Sequence, residues 1–204
     1  MFISIEGIEG TGKSTIANSL VDLLVSANIN VVQTREPGGT EVAENIRQIL
    51  LQKYDSENVL AEVELMLMFA ARLQHVEFKI KPELKKGNWV ICDRFADASY
   101  AYQGGGRAIP VAKIKAIQEW SIKEFMPNKT ILLDLEPELA FERVRTRNNA
   151  KDRIESETME FFHRARATYL KLAQQMPERF FVVDASNNEQ NVIETVWNEV
   201  KSWI

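Results

Sequence analysis

The run Phe2-Ile3-Ser4-Ile5-Glu6-Gly7-Ile8-Glu9-Gly10-Thr11-Gly12-Lys13-Ser14-Thr15 constrains the chain more than any other. A short apolar strand passes into a glycine loop of the form G-x-x-x-x-G-K-[ST], and a helical pattern follows at once. The glycines let the loop wrap closely enough for its backbone N–H groups to converge on phosphate oxygens. Lys13 then reaches the outer phosphates, Ser14 offers a hydroxyl to a magnesium ion, and the helix N-terminus adds partial positive charge. The same letters elsewhere would spell only a tight strand-to-helix turn. With a strand before and a helix after, they read as a nucleotide-binding P-loop.

Ile16, Leu20, Leu23, Leu24 and Ala27 line one face of the helix after the loop, and Val31–Thr34 reads as a second strand. Arg35-Glu36-Pro37-Gly38-Gly39 is a loop, and Thr40 is placed to cap a helix through about Gln52. Residues 57–86 read as helical, ended by Gly87. Trp89–Cys92 is a third strand, apolar throughout and so buried on both faces. Pro110 opens a helix through Phe125, Thr130–Leu135 is a fourth strand, and Pro137 opens a helix that turns basic. A helix from about Ser156 to Gln175, a strand at Arg179–Asp184 and a helix striped by Val192, Val196, Val200 and Trp203 complete the chain. Strands alternating with helices predict an α/β fold, a parallel sheet covered on both faces. No repeat or linker divides residues 1–204, so a single domain is expected.

Eight of the nine glycines fall at 7, 10 and 12, at 38 and 39, and at 104, 105 and 106. All three groups read as loops. Ligands of open α/β sheets bind outside the carboxyl ends of the strands, so the first two loops should face one crevice.

A net charge of −4 argues against a nucleic-acid partner. Cys92 is the single cysteine and lies in an apolar strand, so it reads as a buried hydrophobe and no disulfide framework exists. No stretch of about 18 apolar residues suggests a membrane span. The expectation is a soluble cytoplasmic protein. His75 and His163 show no metal or triad pattern and read as structural.

Asp93, at the end of the third strand, suits a second magnesium-organising group as well as a helix cap. Arg94 beside it could hold a phosphate bidentately or make a surface ion pair. Arg47 reads as a solvated helix residue, and Arg72, ending an apolar run, as either snorkelling or hydrogen-bonding from within a pocket. Met68 and Phe69 have the burial tendency of core residues. Arg143, Arg145, Arg147, Lys151 and Arg153 form a basic run broken by Asn148-Asn149. The P-loop carries no arginine, so this segment, at about 143–155, reads as a mobile lid delivering one to the transferring phosphate.

With these residues in view, the chain resembles the bacterial thymidylate kinases over nearly its whole length. The resemblance rests on Glu6–Ser14, Thr34–Thr40, Phe69-Ala-Ala-Arg72, Asp93-Arg-Phe95, Tyr102–Arg107 and Asp152-Arg-Ile-Glu155, in the family's order. It implies a three-layer P-loop NTPase fold with a five-stranded parallel sheet, transfer of the ATP γ-phosphate to dTMP with magnesium, and a homodimer. Residue by residue, it implies that Gly7 to Thr15 hold ATP, and that Ser14 and Asp93 hold the metal. Glu9 would accept from the sugar 3′-hydroxyl, and Arg47 and Arg94 would grip the dTMP phosphate. Arg72, Ser99 and Gln103 would read the thymine edge, and Glu36-Pro37 would shape the acceptor loop, through a cis bond. Arg147 and Arg153, with Arg143, would reach the ATP phosphates. Many members carry the stacking aromatic four residues before the pocket arginine; here that position is Met68, so the stacking falls to Phe69. The lid has Arg147-Asn148 where relatives have Arg-Gly.

Two rival readings stand beside this one. A kinase of another nucleoside monophosphate would share fold and P-loop. A nucleotide-hydrolysing switch would need a guanine motif N-K-x-D, but Asn128-Lys129-Thr130-Ile131 lacks the aspartate.

Overall fold

Every residue of β1 (Phe2–Glu6) is buried, which places this strand in the middle of the sheet. β2 (Val31–Arg35), β3 (Trp89–Asp93), β4 (Lys129–Asp134) and β5 (Phe180–Asp184) join it in the order β2-β3-β1-β4-β5, all pairs parallel. In a computed structural model, residues 1–145 and 152–204 are described. The chain runs from β1 out to β2 at one edge, returns to β3, and crosses β1 to reach β4. The crevice at the carboxyl ends of β1 and β3 is therefore a topological switch point, where ligands of such sheets bind.

The two faces of β1 differ. Ile3 and Ile5 pack with Ile16, Leu20 and Leu24 of α1 (Lys13–Ser26), in a core that also takes Val192, Val196 and Val200 of α9 (Glu189–Val200). Phe2, Ser4 and Glu6 point the other way, as strand alternation requires. Phe2 joins Leu65 and Phe69 of α3 (Ala61–His75) and stacks edge-on to Phe95 with centroids 5.0 Å apart. Ser4 meets Thr130, and Glu6 meets Tyr169 of α8 (Met159–Gln175). Buried polar side chains thus lie on this face of the central strand, inside the sheet layer.

Predicted strand positions agree with the structure to within a residue. Thr40 caps α2 (Glu41–Leu51) by accepting from Ala43 N at 3.3 Å. Two expectations are corrected. The single helix over 57–86 is three segments, α3, a π-helical turn at Val76–Ile80 and α4 (Lys81–Lys85). Glycines 104–106 are not a loop but close a wide helical turn, Tyr100–Gly106, that continues α5 (Ala96–Ser99). A Cβ on Gly106 would stand 2.3 Å from the Phe161 ring, so these glycines let α8 approach closely. Among the described residues the remaining α-helices are α6 (Val111–Ser121) and α7 (Pro137–Arg145).

Candidate active site

The P-loop leaves β1 at Gly7 and enters α1 at Lys13. Gly10 has φ +81°, and a Cβ there would stand 2.1 Å from Ala140 O, so the loop lies directly against the backbone of α7. Thr11 Oγ1 donates to Ile8 O at 2.9 Å, and Lys13 Nζ donates to the same carbonyl at 2.7 Å. Lys13 is buried, and burial together with the nearby Arg94 charge lowers its pKa to about 8, against the opposing pull of Asp93, Glu9 and Glu6. A desolvated ammonium on a loop carbonyl is poised for a better acceptor. Ser14 Oγ donates to Asp93 Oδ2 at 3.0 Å, joining P-loop to strand end. A hydroxyl and a carboxylate are hard oxygen donors of the kind magnesium takes alongside phosphate oxygens, so these two residues fit that ion.

Arg94 follows β3 with φ 70°, a left-handed conformation held by Arg94 N donating to Ile5 O at 3.0 Å. The turn sends its guanidinium back under the P-loop. Its Nη2 donates to Glu9 Oε1 at 2.8 Å and its Nη1 to Gly7 O at 2.7 Å. Tyr102 OH donates to Glu9 Oε2 at 2.7 Å, and the Arg94 guanidinium lies 4.8 Å from the Tyr102 ring centroid. Burial disfavours the cation, but Tyr102, Glu9, Tyr169 and Asp93 outweigh it and raise its pKa further. Beneath, Glu6 accepts from Phe95 N at 2.6 Å and Tyr169 OH at 2.7 Å. Burial, then the Asp97 charge, raises its pKa to about 8.

Arg72 on α3 is buried and fixed on three sides. Its Nε donates to Glu36 Oε2 at 2.7 Å, Nη1 to Ser99 Oγ at 3.0 Å and Nη2 to Phe95 O at 3.1 Å. Glu36 Oε1 also meets His75 Nδ1 at 3.0 Å, and His75 Nε2 meets Thr34 Oγ1 at 2.6 Å. His75 is thus a buried support for the pocket, and His163 pairs at the surface with Glu138. The Glu36-Pro37 bond is cis, and Arg47 Nη1 donates to Pro37 O at 3.0 Å. Arg47 is not the solvated residue its position on α2 suggested.

A cleft of about 290 Å3 takes in Glu9, Gly10, Gly12, Lys13 and Ser14, Asp93 and Arg94, Glu36, Pro37 and Arg47, and Met68, Arg72, Ser99, Tyr102 and Gln103. Most of the expected site residues therefore share one space. Phe69 does not: it is 1% exposed, in the core, with the Arg72 guanidinium 4.6 Å above its ring, while Met68 faces the cleft. The stacking role given to Phe69 is corrected on that ground. Thr15 lies in the first turn of α1 and is absent from the lining of the cleft, and Arg143 is exposed at the end of α7.

Arg153 is also turned away from the phosphate loop. Its Nε donates to Leu50 O at 2.9 Å, and its Nη2 lies 2.6 Å from Glu64 Oε2, off the direction of a hydrogen bond. Its neighbours Asp152, Ile154 and Glu155 line the cleft instead. Arg147 and Lys151 lie outside the described residues.

Several residues of the site gave no functional signal in the sequence. Glu6 and Glu64 are carboxylates inside apolar runs, a signal of buried partners that periodicity alone passes over. Tyr102 lies in a recognisable stretch, but Tyr169 reads as any helix tyrosine.

A family model described as Thymidylate kinase matches residues 5–196. The thymidylate kinase of Ruthia magnifica subsp. Calyptogena magnifica is 46% identical over 195 residues, covering 96% of this chain and 94% of that protein. That of Vesicomyosocius okutanii is 48% identical over 185 residues, 91% and 89% of the two chains. A crystal structure of thymidylate kinase from Ehrlichia chaffeensis superposes with a TM-score of 0.79 at 31% identity, over 98% of each chain. Model, relatives and structure agree over nearly the full length, and the chain belongs to the thymidylate kinase family.

Proposed function

We propose that the protein transfers the γ-phosphate of ATP to dTMP, giving ADP and dTDP for dTTP synthesis. The observation that carries this reading is a single cleft joining a P-loop to a second cationic subsite, Arg94 and Arg47, and a buried polar pocket at Arg72, Ser99 and Gln103. ATP phosphates enter the P-loop, and Lys13 exchanges the Ile8 carbonyl for phosphate oxygen. Arg94 and Arg47 hold the acceptor phosphate in line with the donor. The acceptor is already an anion, so no strong base is needed, and positioning and charge neutralisation supply the rate. Glu9, oriented by Arg94 and Tyr102, accepts from the sugar 3′-hydroxyl, and Met68 covers the base. Arg143 and Arg147 bring positive charge to the transferring group. Ser14 and Asp93 would hold magnesium, which would supply neutralisation of phosphate charge.

The reading includes a homodimer and a cytoplasmic setting. No helix among the described residues is long and apolar enough to cross a membrane. Exposed Leu60, Val63 and Met66 at α3, and Val111 and Trp120 on α6, give a dimer apolar surface to cover; Trp120 is 83% exposed. Sedimentation should give twice the chain mass.

The test of function is ADP release with ATP and magnesium, offering dTMP, dUMP, UMP, CMP, AMP and GMP separately. Turnover should strongly favour dTMP. Preference for another monophosphate would discard the thymine pocket, and ADP release indifferent to every acceptor would favour the hydrolytic switch.

A further inference from the structure

Glu64 is 1% exposed and lies on α3 eight positions before Arg72, and among the described residues its polar partners are Gln103, Arg107 and Arg153. Its two oxygens are used differently. Oε1 accepts from Gln103 Nε2 at 2.8 Å and Arg107 Nε at 3.3 Å. Oε2 accepts from Arg107 Nη2 at 3.1 Å and lies 2.6 Å from Arg153 Nη2. Two guanidinium groups hold this carboxylate in its ionised form, and an ionised carboxylate only accepts. Gln103 must therefore turn its NH2 to Glu64. Among the described residues no donor meets Gln103 Oε1, and Gln103 lines the cleft.

We propose that Glu64 sets base specificity by fixing the Gln103 amide so that its carbonyl, not its NH2, faces the nucleobase. The proposal rests on the dTMP-kinase reading and deepens it. Arg72 has N–H groups left over from its three bonds, since a guanidinium carries five. Beside it, the Gln103 carbonyl makes a donor–acceptor pair. Thymine presents the complement, the O4 acceptor next to the N3–H donor. Cytosine presents the reverse, an amino donor next to a bare N3, and both contacts oppose. Glu64 touches no substrate atom and acts as a positioning residue.

The asymmetry of the two oxygens makes the role testable with Glu64→Gln. The amide oxygen of the new side chain is drawn to the Oε2 position between two arginines, which leaves its NH2 facing Gln103. Gln103 must then flip, turning its own NH2 to the base. The measurement is kcat/KM for dTMP and for dCMP in both proteins. The wild type should favour dTMP, and in E64Q the dTMP:dCMP ratio should fall about tenfold, the scale of one mismatched buried polar contact. A purely structural role would lower both substrates alike and leave the ratio unchanged; that result overturns the proposal. Gln103→Leu keeps the Glu64–arginine cluster and tests the orientation if E64Q does not fold. It should lower kcat/KM for dTMP more than for dCMP, because the carbonyl that repels cytosine is gone, and equal losses would overturn the assignment. A wild type that does not prefer dTMP would instead defeat the underlying substrate reading, so the two failures are distinct.

Discussion

Arg94 Nη2 and Glu9 Oε1 are 2.8 Å apart, so the residue after β3 and the middle of the P-loop are joined by one ion pair. The pair places the proposed acceptor grip and the proposed sugar contact in a fixed relation before any substrate arrives. It also ties both to the loop that holds the donor, because the other arm of Arg94 binds Gly7 O.

Removing that arm separates two functions. Arg94→Ala should lower kcat/KM for dTMP by about 10²–10³, the scale of two lost charge-assisted bonds. ATP affinity should fall far less, because Lys13 and the loop N–H groups remain. Steady-state kinetics with an ATP titration checks this, and unchanged dTMP kinetics would refute the assignment.

The architecture of the sheet is visible in the sequence because its strands are nearly continuous apolar runs between helical patterns, a signal that survives any detail of packing. What failed is local direction. Met68 and Phe69 are adjacent on a helix and so about 100° apart around it; which one meets the cleft depends on how α3 lies on the sheet. Arg153 is legible in the sequence as a cation, but Glu64, more than eighty positions earlier, draws its guanidinium away from the phosphate loop. Glycines 104–106 look like a loop by propensity, yet α8 needs them as a smooth helical surface, and tertiary packing overrides the local preference.

Lys13 makes ATP binding depend on pH. In the free protein its pKa is lowered to about 8, and phosphate in place of the Ile8 carbonyl will raise it. Binding therefore takes up a proton above pH 8. Affinity should be constant below that pH and fall about tenfold per unit above it, until the raised bound-state value is reached. Calorimetric titrations from pH 7 to 9.5, in buffers of different ionisation heat, would show both the decline and the proton uptake. A flat profile would mean that Lys13 is not the group meeting the phosphates.

Asp93→Asn retains a partner for Ser14 Oγ but removes the negative charge. The magnesium concentration for half-maximal rate should rise about 10–100-fold. ATP binding measured without metal should be unaffected or slightly stronger, since a carboxylate near the phosphates has been neutralised. Equal magnesium dependence in the two proteins would place the metal elsewhere.

Glu6 carries a pH dependence of stability that is independent of substrate. Its carboxyl faces Tyr169, Phe95 N, Asp97 and Arg94, and burial with the Asp97 charge raises its pKa from 4.5 to about 8. Above pH 4.5 the unfolded chain releases this proton while the folded one keeps it. The stabilisation is therefore complete below the unfolded value and is lost as pH rises through about 8. Glu6→Gln, which stays neutral, should escape that loss. The Tm of the variant relative to wild type should climb between pH 5 and 8 and level off above. Melting curves across that range decide it: a difference that does not change with pH would mean that Glu6 is ionised in the folded protein throughout, its charge carried by Arg94 and its two donors.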